Sequence, residues 1–183
     1  RQRMSREQVM KSFNETVPAA PPVALPVITF TETMTLYLNG DTVDIVHAKN
    51  AHTDGDAIIH WRKANVIHAG DTFFNGFYPF IDYESGGTVD GMIAAADTIL
   101  ALSDDQTKII PGHGPLGNKA QLRAFRDMTA TVRLRFARAR AEGKTAEQVV
   151  NAHLLSDLDA TWGQGFLTTD QFSAFAYPAV PRP

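Results

Sequence analysis

Three turns in this chain carry residue types that bind metal ions. His52 stands in "AHTDGD", Asp71 in "AGDTFF" and His113 in "PGHGP". Each follows an apolar run, "VDIVHA", "NVIHA" and "TKII" respectively. Short apolar runs rich in β-branched residues read as strands. In α/β sheets, sites gather at the carboxyl ends of strands. If these three strands lie side by side, two imidazoles and a carboxylate converge on one sheet edge. Neutral imidazole and carboxylate together suit zinc or another divalent cation. Glycine on both sides of His113 lets the backbone turn sharply or approach something closely, and the outer prolines stiffen that turn. Singly, a histidine after a strand reads as a structural hydrogen-bonding residue and a Gly-Asp as a turn. The ordered trio His52, Asp71 and His113 is what points to a cation.

Other residues near these turns have possible supporting roles. Asp54 and Asp56 can orient the His52 imidazole as acceptors behind it, or can simply form turns and caps. "FFNGFYPFID" follows Asp71 and offers Phe73, Phe74, Phe77 and Tyr78 as a substrate wall. The alternative is a loop packed on the core. His60 and His68 fall inside expected strands and read as structural. His47 ends a strand near the proposed site, and His153 follows a surface helix.

The elements needed to hold such a site are legible in outline. Residues 1–13 read as a charged helix, and residues 14–27 as a Pro-rich extended connector holding Pro18, Pro21, Pro22 and Pro26. "VITF", "TMTLYL" and "DTVDIVHA" read as strands, with Asn39-Gly40 as the hairpin turn between the last two. "AIIHW" and "NVIHAG" suggest a second hairpin. A helix is expected over 88–102, with Thr88 as N-cap and Ile93, Ala96 and Leu100 on its apolar face. A longer helix is expected over 118–142, where Leu122, Phe125, Thr129, Val132, Phe136 and Ala139 make one stripe. Its many arginines read as a solvated face, with a polyanion site as the alternative. A short helix, "TAEQVVNAH", and a tail with "WGQGF" and "TDQFSAFAY" complete the chain. The whole reads as one α/β domain over residues 1–183.

Composition narrows the function. The chain has 183 residues, enough for one sizeable core, with 44% hydrophobic and 20% charged residues. A net charge of −3 implies no nucleic-acid or anionic-membrane partner. The absence of cysteine excludes disulfides, thiolate zinc sites and cysteine nucleophiles. No apolar run is long enough to span a bilayer. The compartment stays open: the chain reads as soluble, and its start at Arg1, inside an apparent helix, admits a periplasmic or secreted parent.

"AHTDGDAIIHW", "VIHAGDTFF" and "KIIPGHGP", in this order, resemble the later half of the metallo-β-lactamase-fold hydrolases. The resemblance covers roughly residues 26–140. It implies the C-terminal portion of an αββα sandwich, with His52 binding a first metal, Asp71 bridging two, and His113 binding the second. It also implies hydrolysis by metal-activated water, of an ester, lactone, thioester, phosphodiester, sulfate ester or lactam. An aspartate in the Gly-Asp turn resembles the lactonase, thioesterase and phosphodiesterase branches more than the antibiotic-hydrolysing ones. The family's first ligand cluster, His-x-His-x-Asp-His, occurs nowhere in this chain. The chain therefore looks truncated. Up to two zinc or other divalent ions would fill a complete site, but weak or absent metal is expected in this chain alone. Its partner would be the missing N-terminal segment or a second copy of itself, besides a small-molecule substrate. Two alternatives stand beside the hydrolase: a non-catalytic half-fold serving as a binding or assembly module, and an unrelated α/β domain.

Overall fold

Asn39 and Gly40 both take left-handed backbone angles, φ 53° and 73°. They close the turn between β3 (Thr33–Leu38) and β4 (Asp41–Ala48), which pair antiparallel with Leu38 opposite Asp41. Two φ-positive residues match the right-handed twist of the strands they join, which is why Asn-Gly marks such a turn. β5 (Asp56–Trp61) and β6 (Val66–Phe74) extend the meander antiparallel. β7 (Lys108–His113) then lies parallel to β6, because the helix α1 (Val89–Leu102) carries the chain back across the sheet. The order β3-β4-β5-β6-β7 makes one mixed five-stranded sheet.

The computed structural model describes residues 2–10 and 14–180. It divides into two units, Arg1–Glu32 and Thr33–Pro183. The first unit corrects two sequence expectations. The expected helix over 1–13 is, in its described part, a turn followed by β1 (Gln8–Met10), which pairs antiparallel with β2 (Glu15–Val17). Residue 1 and residues 11–13 lie outside the described residues. A helix of that length is marginal without a surface to pack on, and no described residue of this unit is buried. "VITF" is likewise no strand. Val27 and Ile28 are exposed bends, and the large sheet begins at Thr33. The Pro-rich stretch contains β2 and a single 3-10 turn, Pro22–Ala24.

In the second unit, α1 and α2 (Lys119–Ala141) pack on each other and on β6. Ile58, Ile67, Ala69 and Ile109 reach full burial in the core cluster that they share with Met92, Ala96 and Ile99 of α1 and Phe125, Val132 and Phe136 of α2. Every residue of the expected α2 stripe is buried. The α1 stripe is rotated from expectation: Met92, Ala96 and Ile99 face inward, while Ile93 and Leu100 are only partly buried. Asn118 and Thr88 cap the two helices through their side chains, as their residue types favour. Arg126 pairs with Asp97 at 2.9 Å and Arg133 with Asp90 at 2.8 Å, so arginines of α2 meet acids of α1. This favours a solvated, ion-paired face over a polyanion site. Three shorter helices, α3 (Ala146–Asn151), α4 (Asp159–Trp162) and α5 (Thr169–Ala176), finish the unit. Among the described residues, no helix is long and apolar enough to cross a membrane.

The core cluster draws on one face of the sheet only. Residues pointing to the other face include Met34, Leu36, Ile45, Ile59, Trp61 and Val66. These six are apolar and partly buried, whereas Val43, between Leu36 and Trp61 on the same face, is buried.

Candidate metal centre

The meander sets the geometry of the site. β4 and β6 run in the same direction with β5 between them, and β7 runs parallel to β6. The carboxyl ends of β4, β6 and β7 therefore lie on one edge. His52 follows β4 in the loop to β5. Asp71 and His113 lie inside the ends of β6 and β7, not in turns beyond them. The pairing of these two strands is irregular between His68 and Gly70, and again between Gly70 and Phe74. Gly70 sits at φ 53°. Such a bulge kinks a strand and re-aims the side chains beside it.

The three predicted ligands meet. Asp71 Oδ2 lies 3.6 Å from His52 Nε2, and Asp71 Oδ1 lies 3.4 Å from His113 Nε2. Each carboxylate oxygen thus faces a different imidazole. Among the described residues, no group of three or more His, Cys, Asp or Glu side chains closes on one cation position.

His52 is fixed from behind. Its Nδ1 lies 2.9 Å from the Phe80 carbonyl oxygen. A carbonyl only accepts, so Nδ1 carries a proton, and it is Nε2 that points toward Asp71. The loop holding His52 is itself pinned: Asp82 N–H donates to the His52 carbonyl at 2.9 Å, and Asp54 N–H to the Ser85 carbonyl at 3.0 Å. Phe80 packs edge-on to the His52 ring at 5.8 Å.

Asp54 and Asp56 do their hydrogen bonding elsewhere. Asp56 accepts from the Thr53 amide at 2.6 Å, and Asp54 from the Asn50 amide at 3.3 Å. These are turn-closing bonds, and the orienting acceptor for His52 is a backbone carbonyl. Burial pushes the Asp56 carboxyl above its ordinary range, and the hydrogen bond from the Thr53 amide and the nearby His52 offset only part of that rise.

The glycine before His113 has a specific cause. A methyl group on Gly112 would overlap the Asp71 carboxylate, and would lie 2.7 Å from the Gly70 carbonyl carbon and 2.8 Å from the Asp71 nitrogen. β7 passes so close to Asp71 that only glycine fits. Gly114 takes φ 99°, a conformation that side chains resist.

The proposed aromatic wall divides. Phe74 stacks on the His113 ring at 4.9 Å, and Phe77 meets Phe74 edge-on at 6.0 Å. Phe73 and Tyr78 point the other way, which corrects the sequence reading. Phe73 is fully buried against Phe125, and Tyr78 stacks on Phe172 at 4.3 Å in the core. Neighbouring residues of an extended segment alternate sides, so one stretch serves both core and site. Sequence reasoning also missed Phe166, whose ring lies 5.8 Å from His113. "WGQGF" drew attention to that segment, but only the fold brings it to the sheet edge.

The remaining histidines stay apart. His47 Nε2 contacts the Asp54 carbonyl at 3.0 Å, and the exposed His153 lies 3.5 Å from Asp170. His60 has a buried Nδ1 with no partner among the described residues, so it is not the fully satisfied structural histidine expected.

The donor chemistry fits a divalent cation. Donors bound to one zinc at about 2.0–2.1 Å stand roughly 3.3 Å apart, close to the two separations around Asp71. A mixed sheet backed by two helices carries His52, Asp71 and His113 at or just beyond the ends of three of its strands. The chain belongs to the metallo-beta-lactamase superfamily, whose family model matches residues 2–113, more than half of it. No curated protein matches the chain. Among solved structures, the sec-alkylsulfatase Pisa1 from Pseudomonas sp. is 18% identical with a TM-score of 0.58, over 87% of this chain and 27% of that one. A double mutant of the sec-alkyl sulfatase PisA1 is 17% identical with a TM-score of 0.62, over 84% of this chain and 26% of that one. A metallo-beta-lactamase from Pontibacter korlensis is 14% identical with a TM-score of 0.49, over 57% of this chain and 49% of that one. This chain therefore spans half or less of the length of these structures.

Proposed function

We propose that this chain carries part of the metal-holding edge of a metal-dependent hydrolase, and that His52, Asp71 and His113 are its ligands. The observation behind this reading is the Asp71 carboxylate, which offers one oxygen beside each of two imidazole Nε2 atoms. His52 would serve one divalent cation, His113 a second, and Asp71 both. A cation there would supply Lewis-acid polarisation of the scissile group and a water acidified toward neutral pH. The chain's own residues do the positioning. The Phe80 carbonyl holds the His52 tautomer, Phe74 fixes the plane of the His113 ring, and Gly112 makes room for Asp71. Zinc wants about four donors per ion, so three donors shared between two positions hold it weakly. Further donors would have to come from outside this chain.

The substrate class is an ester, lactone, thioester, phosphodiester or sulfate ester, with lactams the least favoured. A screen of chromogenic members of these classes, with added zinc or manganese, tests the reading. Turnover that is lost in Asp71→Asn supports it. Turnover unchanged by that substitution counts against it.

A second reading is a non-catalytic half-fold that acts as a binding or assembly module. The apolar second face of the sheet favours it. On this reading the chain pairs with a separate N-terminal segment or with another copy of itself, and no substrate is turned over in any metal.

A further inference from the structure

Phe166 lies between two anchored residues but is not anchored itself. Trp162 and Leu167 are in the core, whereas Phe166 is 56% exposed. Its ring lies 5.7 Å from Phe77, 6.0 Å from Phe74 and 5.8 Å from His113. Phe166 is exposed and Phe77 half-buried, so these two rings offer the accessible apolar surface, with the fully buried Phe74 behind them and the proposed ligand His113 beside them.

The backbone holds Phe166 there. Gly165 packs directly on the Phe77 ring: a methyl on it would lie 2.5 Å from Phe77 Cβ and 2.6 Å from Cγ. Trp162, before the turn, accepts a hydrogen bond from the Tyr78 amide at 2.9 Å. The turn is thus fixed on both sides of an aromatic ring that the core does not use.

We propose that Phe166 is a specificity-determining residue, and that Phe166 and Phe77, backed by the buried Phe74, form an apolar subsite for an alkyl or aryl group next to the bond being cleaved. The proposal rests on the hydrolase reading for the words "being cleaved"; the apolar subsite itself does not. The site then discriminates by chain length. Each methylene laid on the rings adds a roughly constant increment of apolar burial, and small polar substrates gain nothing from it.

The experiment uses uncharged probes that need no metal, 1-butanol and 1-hexanol, titrated into the full chain. Binding is read from the Phe166 backbone amide signal by NMR. The parent chain should bind 1-hexanol about tenfold more tightly than 1-butanol, the factor two buried methylenes give. Phe166→Ala should reduce that ratio to about threefold or less, and Phe166→Leu should restore part of it. Unchanged thermal melting would show that both variants fold. Equal affinity for the two alcohols in the parent, or an unchanged ratio in Phe166→Ala, overturns the subsite. A series of 4-nitrophenyl esters with added zinc separates the two readings. Chain-length-dependent binding without ester turnover leaves the subsite and removes the hydrolase. Turnover without chain-length dependence does the reverse.

Discussion

The Nδ1 of His52 donates to the carbonyl oxygen of Phe80 at 2.9 Å, across 28 residues of chain. This bond fixes a proton on Nδ1, and it is Nε2 that points toward Asp71.

One consequence is spectroscopic. In the neutral form His52 should be the Nδ1–H tautomer, which the ring nitrogen shifts of a 15N-labelled sample distinguish directly. An Nε2–H tautomer at His52 would mean that the Phe80 contact does not orient the ring.

Gly112 gives a steric test. Alanine there must displace Asp71 or push β7 away from β6. Gly112→Ala should cost about 1–3 kcal/mol of stability, the usual penalty for overpacking. It should also weaken the zinc response of the imidazoles about tenfold or more, as lost positioning groups do. Denaturant melts and zinc titration together check this. A variant equal to the parent in both would show that the close approach of β7 does not shape the site.

An ion pair away from the site gives a pH test. Arg135 donates to the Asp157 carboxylate and to the Leu154 carbonyl. It holds the Asp157 carboxyl below the usual carboxylate range. A depressed carboxyl adds stability above its unfolded pKa, and that stability is lost as pH falls through the folded value. Asp157→Asn should therefore lower the melting temperature slightly at pH 7, with the gap closing as pH falls below the ordinary carboxylate range and through the lowered folded value. Because the pair is exposed, salt should shrink the difference. A gap that persists at low pH would assign the effect to something other than charge.

Association follows from the second face of the sheet. Met34, Leu36, Ile45, Ile59, Trp61 and Val66 form an apolar surface that the helices do not share. Large apolar patches are uncommon on soluble monomers. We expect light scattering to show a pair or larger assembly, two-fold symmetric if it is a self-pair. A monodisperse monomer that unfolds cooperatively and binds no hydrophobic dye would contradict this.

Local signals were legible in the chain. Asn39-Gly40 marked its hairpin, Thr88 its helix start, and the spacing from Leu122 to Ala139 its buried stripe, because each acts within a few residues. His52, Asp71 and His113 were legible as a set, because strand ends place such residues on one edge. Phe80 was not, since a backbone carbonyl leaves no residue type to read. Phe166 was not, since its place depends on how the last turns pack. Phe73 and Phe74 could not be told apart, because the bulge at Gly70 decides which one faces the site. The strands of the first unit were hidden by a charged pattern that reads equally well as helix.

The central claim is that His52, Asp71 and His113 form one cation-binding edge, with the Asp71 carboxylate shared between two adjoining positions. Zinc alone, titrated into the purified chain with the histidine ring protons followed by NMR, tests it most directly. His52 and His113 should both shift saturably, while His153 stays still. The affinity should be far below that of a closed four-donor site, and Asp71→Asn should weaken it about tenfold or more. A ring of His52 or His113 that does not respond to zinc, an unchanged response in Asp71→Asn, or tight stoichiometric zinc in the chain as purified would contradict the account.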